Sequence, residues 1–235
     1  MKKVLILAVC GLVLLPGCKN SGKKAAGSES APGDSLAAEA PVAESVNPIP
    51  DMTTALSQLP DEPVFDIITN MGTIKVKLYK KTPKHRENFA RLALSGYYDG
   101  LLFHRVIDGF MIQGGDPFTR DSSLVELFGQ GGPDYTVPAE FVSQYTHKKG
   151  ALAAARRGND ANPMKESSGS QFYLVQDPDN CVHLNGEYTV FGETVSGLNV
   201  IDKIAAVKTN RRGLPEKEVR IQRIQLDDIS KNELK

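Results

Sequence analysis

Aromatic residues are confined to one part of the chain, and this confinement limits where a hydrophobic core can form. The 235-residue sequence contains 7 Tyr and 9 Phe but no Trp, and its first aromatic residue is Phe65. A segment without aromatic side chains and rich in small residues cannot bury enough apolar area to offset its conformational entropy. We therefore expect residues 61–235 to form the folded part and residues 1–60 to lie outside it.

The first residues carry the features of an export signal. A basic start at residues 1–3 precedes an apolar run at 4–15, and Pro16-Gly17-Cys18 follows. An apolar run of this length is typical of a cleaved secretory signal and is too short to span a bilayer. The sequence around Cys18 resembles a bacterial lipobox, which implies cleavage after Gly17 and lipidation of Cys18. An ordinary cleaved signal is the alternative.

These patterns divide the chain into three predicted parts. Residues 1–17 are expected to be a lipoprotein signal peptide, residues 18–60 a lipidated Cys18 with a disordered tether, and residues 61–235 one domain. The tether is rich in Ala, Ser, Pro and Gly, a composition typical of disorder. A helix around Ser35–Glu44 is the alternative there. The implied location is the bacterial cell envelope, with the lipid anchor at the periplasmic face or the outer membrane.

Charge, cysteine and histidine content exclude several functional classes. The 28 Lys and Arg balance the 28 Asp and Glu, so the chain lacks the basic excess of proteins that bind nucleic acid. Cys181 would be the lone thiol of the mature chain, and the four His form no recognisable ligand cluster. Gly129-Gln130-Gly131-Gly132 lacks the Lys that a phosphate-binding loop requires. We expect a monomer with no metal, no cofactor and no nucleic-acid partner.

The folded part shows strand patterns separated by turn signals. Asn70-Met71-Gly72 lies between two β-branched segments and predicts a hairpin. Helices are predicted over Gly197–Ala206 and after Thr82-Pro83, where Thr82 would cap the N-terminus. The predicted strands are 64–69, 73–79, 102–107, 111–113, 151–155, 171–175, 189–191 and 218–226. The pattern predicts a mainly β fold, a closed antiparallel β-barrel capped by two α-helices.

Three stretches of the folded part carry a family resemblance. They are Phe103–Asp116 (FHRVIDGFMIQGGD), Gly169–Tyr173 (GSQFY) and His183–Gly192 (HLNGEYTVFG). In this order they resemble a cyclophilin-type peptidyl-prolyl cis–trans isomerase, and the similarity covers about residues 63–229. The resemblance implies a cyclophilin-like, closed eight-stranded barrel with a helix at each end. It also implies isomerisation of X–Pro bonds in proline-containing polypeptides.

This reaction needs a hydrogen-bond donor beside an apolar slot. Rotation of a peptide bond has a barrier of about 18–20 kcal/mol, while the two X–Pro isomers differ by only about 0.5–1 kcal/mol. A donor to the prolyl nitrogen lowers the barrier without a nucleophile or a metal. Arg105 is the predicted donor, because its guanidinium is always charged and forked. By resemblance, Gln113 orients Arg105 and a substrate carbonyl.

The resemblance also implies a set of substrate-binding residues. Each assignment has an alternative: Phe110, Met111 and Leu184 could be part of the barrel core, and Arg105 could be a partner in a structural ion pair. Gln171 is expected to be a wall residue rather than a contact. The residues implied to line the proline slot are Phe110, Met111, Tyr173 and Leu184; those meeting the extended substrate, largely through backbone, are Ala155 and Arg156; and those at the rim are His183 and Tyr188.

The sequence also departs from the family pattern. His183 stands where the family often has Trp, and Tyr188 stands where it often has His. Without the indole donor, cyclosporin binding is possible but expected to be weakened. The stretch 156–168 is longer and more charged than the family pattern, and it is either a specificity loop or a solvated one. A non-catalytic peptide-binding or chaperone module that uses the same groove is the alternative function.

Overall fold

The computed structural model describes residues 52–234. The predicted signal peptide, Cys18, the alternative helix around Ser35–Glu44 and most of the predicted tether lie outside the described residues. Within the described part of the chain, no helix has the length and apolar character needed to cross a membrane.

The last part of the predicted tether is ordered. Residues Thr53–Ser57 form a short helix, α1, and Leu56 and Leu59 are partly buried against the hydrophobic core. Both leucines bury apolar area against the core although they precede residue 61, where the sequence predicts the domain to begin.

A hairpin opens the sheet, as the sequence predicts. Strands β1 (Val64–Thr69) and β2 (Gly72–Leu78) pair antiparallel, and buried residues alternate along both. The Thr69 hydroxyl donates to the Gly72 carbonyl at 2.7 Å and accepts from the Met71 N–H at 3.0 Å. Gly72 has φ +137°, and a Cβ there would lie 2.8 Å from Val200 Cγ2, so the turn requires glycine.

Helix α2 (Pro83–Leu94) packs its buried face, which includes Phe89 and Leu92, against the sheet. Pro83 is its first residue, as predicted, but the predicted N-cap is wrong. Thr82 is fully buried and its hydroxyl donates to the Tyr79 carbonyl at 3.2 Å, so it does not reach the helix N–H groups. The carboxylate of Glu140 accepts from the N–H groups of Lys84 and His85 instead, both at 3.0 Å.

The second predicted helix is confirmed as α3 (Leu198–Ala205), which buries Val200, Ile201 and Ile204. A further short helix, α4 (Asp228–Asn232), was not predicted. The Asp227 side chain caps it by accepting from the Ser230 N–H at 2.9 Å.

Eight strands form one antiparallel sheet, and all eight lie within or beside predicted segments. The strands after β2 are β3 (Arg105–Ile107), β4 (Met111–Gly114), β5 (Thr136–Val137), β6 (Ala151–Ala154), β7 (Ser167–Ser168), β8 (Phe172–Val175), β9 (Val190–Ser196) and β10 (Ile221–Leu226). The order in the sheet is β10-β1-β2-β9-β6-β8-β4-β3, and β5 and β7 pair separately. The two short strands β5 and β7 were not predicted.

The predicted closed barrel is wrong, because the sheet curls but remains open. Its edge strands, β10 and β3, form no ladder with each other. Instead of β3, the segment 100–103 lies opposite β10. This segment begins at a turn where Gly100 has φ +80°, and it pairs with β10 through the isolated bridge Leu102–Arg220. A few backbone bonds, such as Ile221 N–H to the Leu101 carbonyl at 2.8 Å, therefore replace the closing ladder.

The sheet has a separate hydrophobic cluster on each face. Along β8, Phe172 and Leu174 belong to the inner core, which packs under α2 and α3, while Tyr173 and Val175 belong to a second cluster. Side chains of a strand alternate between faces, so one strand serves both clusters. We call the second set the outer cluster; its buried members are Tyr79, Met111, Ala151, Ala153, Tyr173, Val175, Cys181, Leu184 and Val190.

Candidate active site

Strand register places the predicted catalytic residues in one row. Arg105 of β3 is paired with Gln113 of β4, and Gln113 is paired with Tyr173 of β8. Tyr173 is paired in turn with Ala153 of β6. Directly paired residues share a face of the sheet. Arg105 and Gln113 therefore lie at the border of the outer cluster, away from the inner core.

The Arg105 guanidinium is half-buried and has three neighbours. Its Nη1 lies 3.4 Å from Gln113 Oε1 and 3.8 Å from Met111 Sδ, and its Cζ lies 6.0 Å from the centre of the Phe110 ring. Burial lowers the pKa of Arg105, but arginine stays charged at physiological pH. No carboxylate of the described residues is within ion-pair distance of Arg105, in contrast to the structural ion-pair alternative. The guanidinium therefore keeps donors to offer.

Gln171, expected to be a wall residue, is a link in a hydrogen-bonded chain. Its Nε2 donates to the carbonyls of Gly129 and Gly131, at 3.0 and 2.7 Å, and its Oε1 accepts from Gln113 Nε2 at 3.0 Å. Carbonyls only accept, so the direction of every amide in the chain is fixed. Gln113 is left with its oxygen towards Arg105, which is the orientation that the predicted role of Gln113 requires.

The predicted slot residues surround one apolar surface. Met111, Tyr173 and Leu184 are buried members of the outer cluster, and Phe110 is half-buried against it. Phe110 stacks on His183, with ring centres 6.4 Å apart and planes 13° apart. Phe110, Met111 and Leu184 do not belong to the inner core, which was the alternative interpretation of these residues; they belong to or pack against the outer cluster.

A buried pair that the sequence did not reveal fixes Tyr173. His147 is 2% exposed, its Nε2 lies 2.8 Å from the Tyr173 hydroxyl, and the two rings are 11° from parallel. Asn185 Oδ1 accepts from both the backbone N–H and the Nδ1 of His147, each at 2.8 Å. Nδ1 therefore carries the proton, and the Tyr173 hydroxyl donates to Nε2. No sequence motif joins His147 to the site, because the contact depends on the fold.

Arg156 holds the rim through its side chain. The side chain is only 4% exposed, its Nε donates to the Glu187 carbonyl at 2.8 Å, and its Cζ lies 4.4 Å from the centre of the Tyr188 ring. Lys165 also pairs with Glu187, at 2.6 Å. Arg156 and Lys165 thus tie the two ends of the charged stretch 156–168 to Glu187 at the rim, while residues 157–161 between them are exposed.

Ala155 is half-buried beside the outer cluster, and its backbone is already engaged. Its N–H donates to the Gln171 carbonyl at 3.0 Å, and its carbonyl accepts from the Ser168 N–H at 2.8 Å. A substrate could use only the second lone pair of that carbonyl. Ala155 is therefore less available than its predicted backbone role suggests.

The site holds neither a thiolate nor a metal cluster. Burial raises the pKa of Cys181 to about 11, which keeps it a thiol at physiological pH. Among residues 52–234, no three His, Cys, Asp or Glu side chains form a group that could bind a metal ion. What the site offers is a fixed guanidinium at the edge of an apolar surface.

Comparisons with known proteins show which family the chain belongs to. The family model described as "Cyclophilin type peptidyl-prolyl cis-trans isomerase/CLD" matches residues 64–226. The Bacillus subtilis protein named peptidyl-prolyl cis-trans isomerase B is 41% identical over 160 residues, which cover 67% of this chain and 96% of that one. A Rhizopus delemar protein named peptidyl-prolyl cis-trans isomerase-like 2 is 39% identical over 68% of this chain, which spans only 28% of that relative's length.

A solved structure shows the same fold. The cyclophilin-type isomerase of Cryptosporidium parvum, solved in the presence of the dipeptide Ala-Pro, is 30% identical, with a TM-score of 0.62. The match covers 70% of this chain and 99% of that one. By sequence and by fold, the chain belongs to the cyclophilin-type peptidyl-prolyl cis–trans isomerase family.

Proposed function

We propose that this protein is a peptidyl-prolyl cis–trans isomerase that acts on X–Pro bonds of exported proteins, with Arg105 as the donor to the prolyl nitrogen or carbonyl. The observation that carries the proposal is the half-buried Arg105 guanidinium, held by Gln113 at the border of the outer cluster. The relatives named as isomerases, and the neighbour solved with Ala-Pro, support the same chemistry.

The size of the required acceleration limits what Arg105 can do alone. Uncatalysed X–Pro exchange takes about 10–100 s. Turnover in milliseconds therefore needs a rate acceleration of about 10⁴–10⁵-fold, which is a reduction of the activation free energy by about 5.5–7 kcal/mol. One charge-assisted hydrogen bond supplies about 1.5–3 kcal/mol. The remainder must come from the apolar slot and the fixed orientation of the bound peptide.

The residues of the site divide this work. Phe110, Met111 and Leu184 bind the proline ring, and Gln113 holds the guanidinium while leaving donors free. As the C–N bond twists, the prolyl nitrogen recovers its lone pair, and Arg105 donates a hydrogen bond to it. This bond is stronger in the twisted state than in either planar isomer, so it lowers the barrier in both directions.

The central experiment compares Arg105→Ala with Arg223→Ala in a proline-peptide isomerisation assay on the full-length chain. Arg223 is an exposed arginine on the other edge strand, β10, and serves as the matched control. We expect Arg105→Ala to remove most of the activity and Arg223→Ala to leave it unchanged. Wild-type protein without activity above background, or an Arg105→Ala variant as active as wild type, contradicts the proposal.

A second candidate is a non-catalytic peptide-binding or chaperone module that uses the same groove. Two exposed apolar side chains favour it: Val182, beside His183, is 63% exposed, and Met164, in the stretch 156–168, is 76% exposed. In this case Arg105→Ala would still suppress the aggregation of an unfolded client as well as wild type does. Loss of isomerisation and of client binding together excludes it.

We further propose that the chain acts as a monomer in the bacterial cell envelope, anchored to a membrane by lipid on Cys18. The support for the location and the anchor is the sequence of residues 1–18 alone. Cys18→Ser is expected to move the protein from the membrane fraction to the soluble fraction. Cys10→Ser, within the predicted signal, is the control and should leave the distribution unchanged. Membrane retention of the Cys18→Ser variant contradicts the anchor.

Cyclosporin binding is proposed to be weak. The residue that replaces the common Trp is His183, which is exposed and stacks on Phe110, so it offers an aromatic face but no indole donor. The peptide ligand would therefore lose one hydrogen bond at the rim of the slot.

A further inference from the structure

The two carbonyls that fix Gln171 belong to a loop that one buried carboxylate holds. Asp116 is fully buried, and its Oδ2 accepts from the N–H groups of Gly129 and Gly131, the second at 3.3 Å. Its Oδ1 accepts from the Phe118 N–H at 2.8 Å. Three backbone donors from two separate segments therefore converge on one side chain.

The loop is shaped for this contact. A Cβ on Gly131 would lie 2.1 Å from Asp116 Oδ1, so no other residue allows the carboxylate so close. Gly129 has φ +94°, a conformation that side chains other than glycine rarely adopt. The glycine-rich sequence at 129–132, which lacks the lysine of a phosphate-binding loop, thus has a different use. It lets a carboxylate and an amide side chain approach one loop from two sides.

We propose that Asp116 is a positioning residue for Arg105 and acts through the Gly129–Gly131 loop, Gln171 and Gln113. This inference rests on the proposed role of Arg105. The N–H groups of the two glycines bind Asp116, and their carbonyls accept from Gln171 Nε2. Gln171 then fixes Gln113, whose oxygen faces the guanidinium.

The weakest link of this chain explains why a distant anchor matters. The bond from Arg105 Nη1 to Gln113 Oε1 is 3.4 Å long, whereas the three bonds of the Gln171 side chain are 2.7–3.0 Å. At that length, a small rotation of the Gln113 amide removes the contact or presents its NH₂ group to the cation. The rigid part of the chain must therefore hold Gln113 in place, and Asp116 is where that rigidity begins.

Asp116→Asn tests the proposal, because an amide cannot replace the carboxylate at this position. Its NH₂ group would face N–H donors, and the loop would lose at least one bond. We expect kcat to fall about tenfold with KM changed less than twofold, since a displaced donor affects the transition state most. Asp121→Asn is the matched control. Asp121 caps the 3-10 helix Ser122–Leu127 by accepting from the Ser123 N–H at 2.8 Å, but it makes no bond in the series that leads to Arg105.

A double-mutant cycle separates positioning from a general loss of stability. Gln171→Glu keeps the shape of the side chain but cannot donate to the two glycine carbonyls, and we expect it to lower kcat about tenfold as well. In a Gln113→Ala background, Gln171→Glu should cost less than about twofold, because the link to Arg105 is already broken. If Asp116→Asn fails to fold, this cycle still tests the path from the Gly129–Gly131 loop through Gln171 to Arg105, without which Asp116 cannot position the guanidinium.

Two outcomes overturn the inference. Wild-type kcat in folded Asp116→Asn does so, and so does a full tenfold effect of Gln171→Glu in the Gln113→Ala background. Either result, with Arg105→Ala inactive, refutes the positioning role while leaving the proposed function intact. An active Arg105→Ala variant refutes the proposed function itself.

Discussion

Removal of the Tyr173 hydroxyl should cost stability but not catalysis. The hydroxyl donates to His147 Nε2 at 2.8 Å, and the two residues are 4% and 2% exposed. Burial raises the pKa of Tyr173 well above its ordinary value, so the hydroxyl stays protonated and remains a donor. In Tyr173→Phe, His147 keeps a buried acceptor without a partner.

The size of the effect follows from that unpaired acceptor. A buried polar group without a partner costs about 1–3 kcal/mol. In a domain of this size, each kcal/mol lowers Tm by about 2–4 °C. We therefore expect Tyr173→Phe to unfold about 2–12 °C below wild type. The ring that faces the slot is unchanged, so kcat/KM should stay within about threefold of wild type.

Thermal unfolding followed by circular dichroism, and the proline-peptide assay, measure the two effects. Tyr135→Phe is the control, because its hydroxyl bonds Asn88 Oδ1 at 2.7 Å in an exposed position where water can replace it. Its Tm should change little. Wild-type stability of Tyr173→Phe would show that the hydroxyl is not paired with His147. A stable variant that loses activity more than tenfold would show that the hydroxyl contacts the substrate.

Three further predictions concern the helix end, the rim and the drug site. Burial raises the pKa of Glu140, but hydrogen bonds from His85 and the N–H groups at the start of α2 lower it by more, so it lies below its ordinary value of 4.5. The ionised Glu140 therefore stabilises the folded state above the unfolded-state pKa, and this stabilisation is lost as the pH falls through the folded-state pKa. Glu140→Gln should lower Tm at pH 7, and the difference in Tm from wild type should become smaller below about pH 4.5 when thermal unfolding is measured at several pH values. A difference in Tm that does not change with pH contradicts this. Arg156→Ala should raise KM about threefold with kcat nearly unchanged, since Tyr188 loses the cation 4.4 Å from its ring; an unchanged KM in steady-state kinetics refutes it. His183→Trp should tighten cyclosporin binding in calorimetry by about tenfold, the value of one restored hydrogen bond, and an unchanged Kd excludes the indole explanation.

Patterns among residues close together in the sequence predicted many of the strands and helices. A high content of β-branched residues marked β1 and β2, and the Asn70–Gly72 turn marked the hairpin between them. Proline at the first position and glycine beyond the end marked helix α2. Each of these signals depends on residues close together in sequence, which is why they could be recognised without the structure.

Features that depend on distant segments could not be recognised. Glu140 replaces Thr82 as the cap of α2 although 58 positions separate the two in the chain. A closed barrel would require the segment before β3 to form a ladder with β10, and no local pattern in the sequence shows whether it does. Likewise, His147 reaches Tyr173 and Gln171 reaches Gln113 only once the sheet has curled.

The use of both sheet faces by the same strands has an evolutionary consequence. Along β4 and β8, odd-numbered residues serve the site and even-numbered residues fill the inner core. Inserting or deleting one residue in either strand would exchange the two sets, placing Gln113 in the core and Ile112 at the site. Such length changes should therefore be selected against in these strands, whereas they should be tolerated at residues 157–161, which are exposed and belong to no strand.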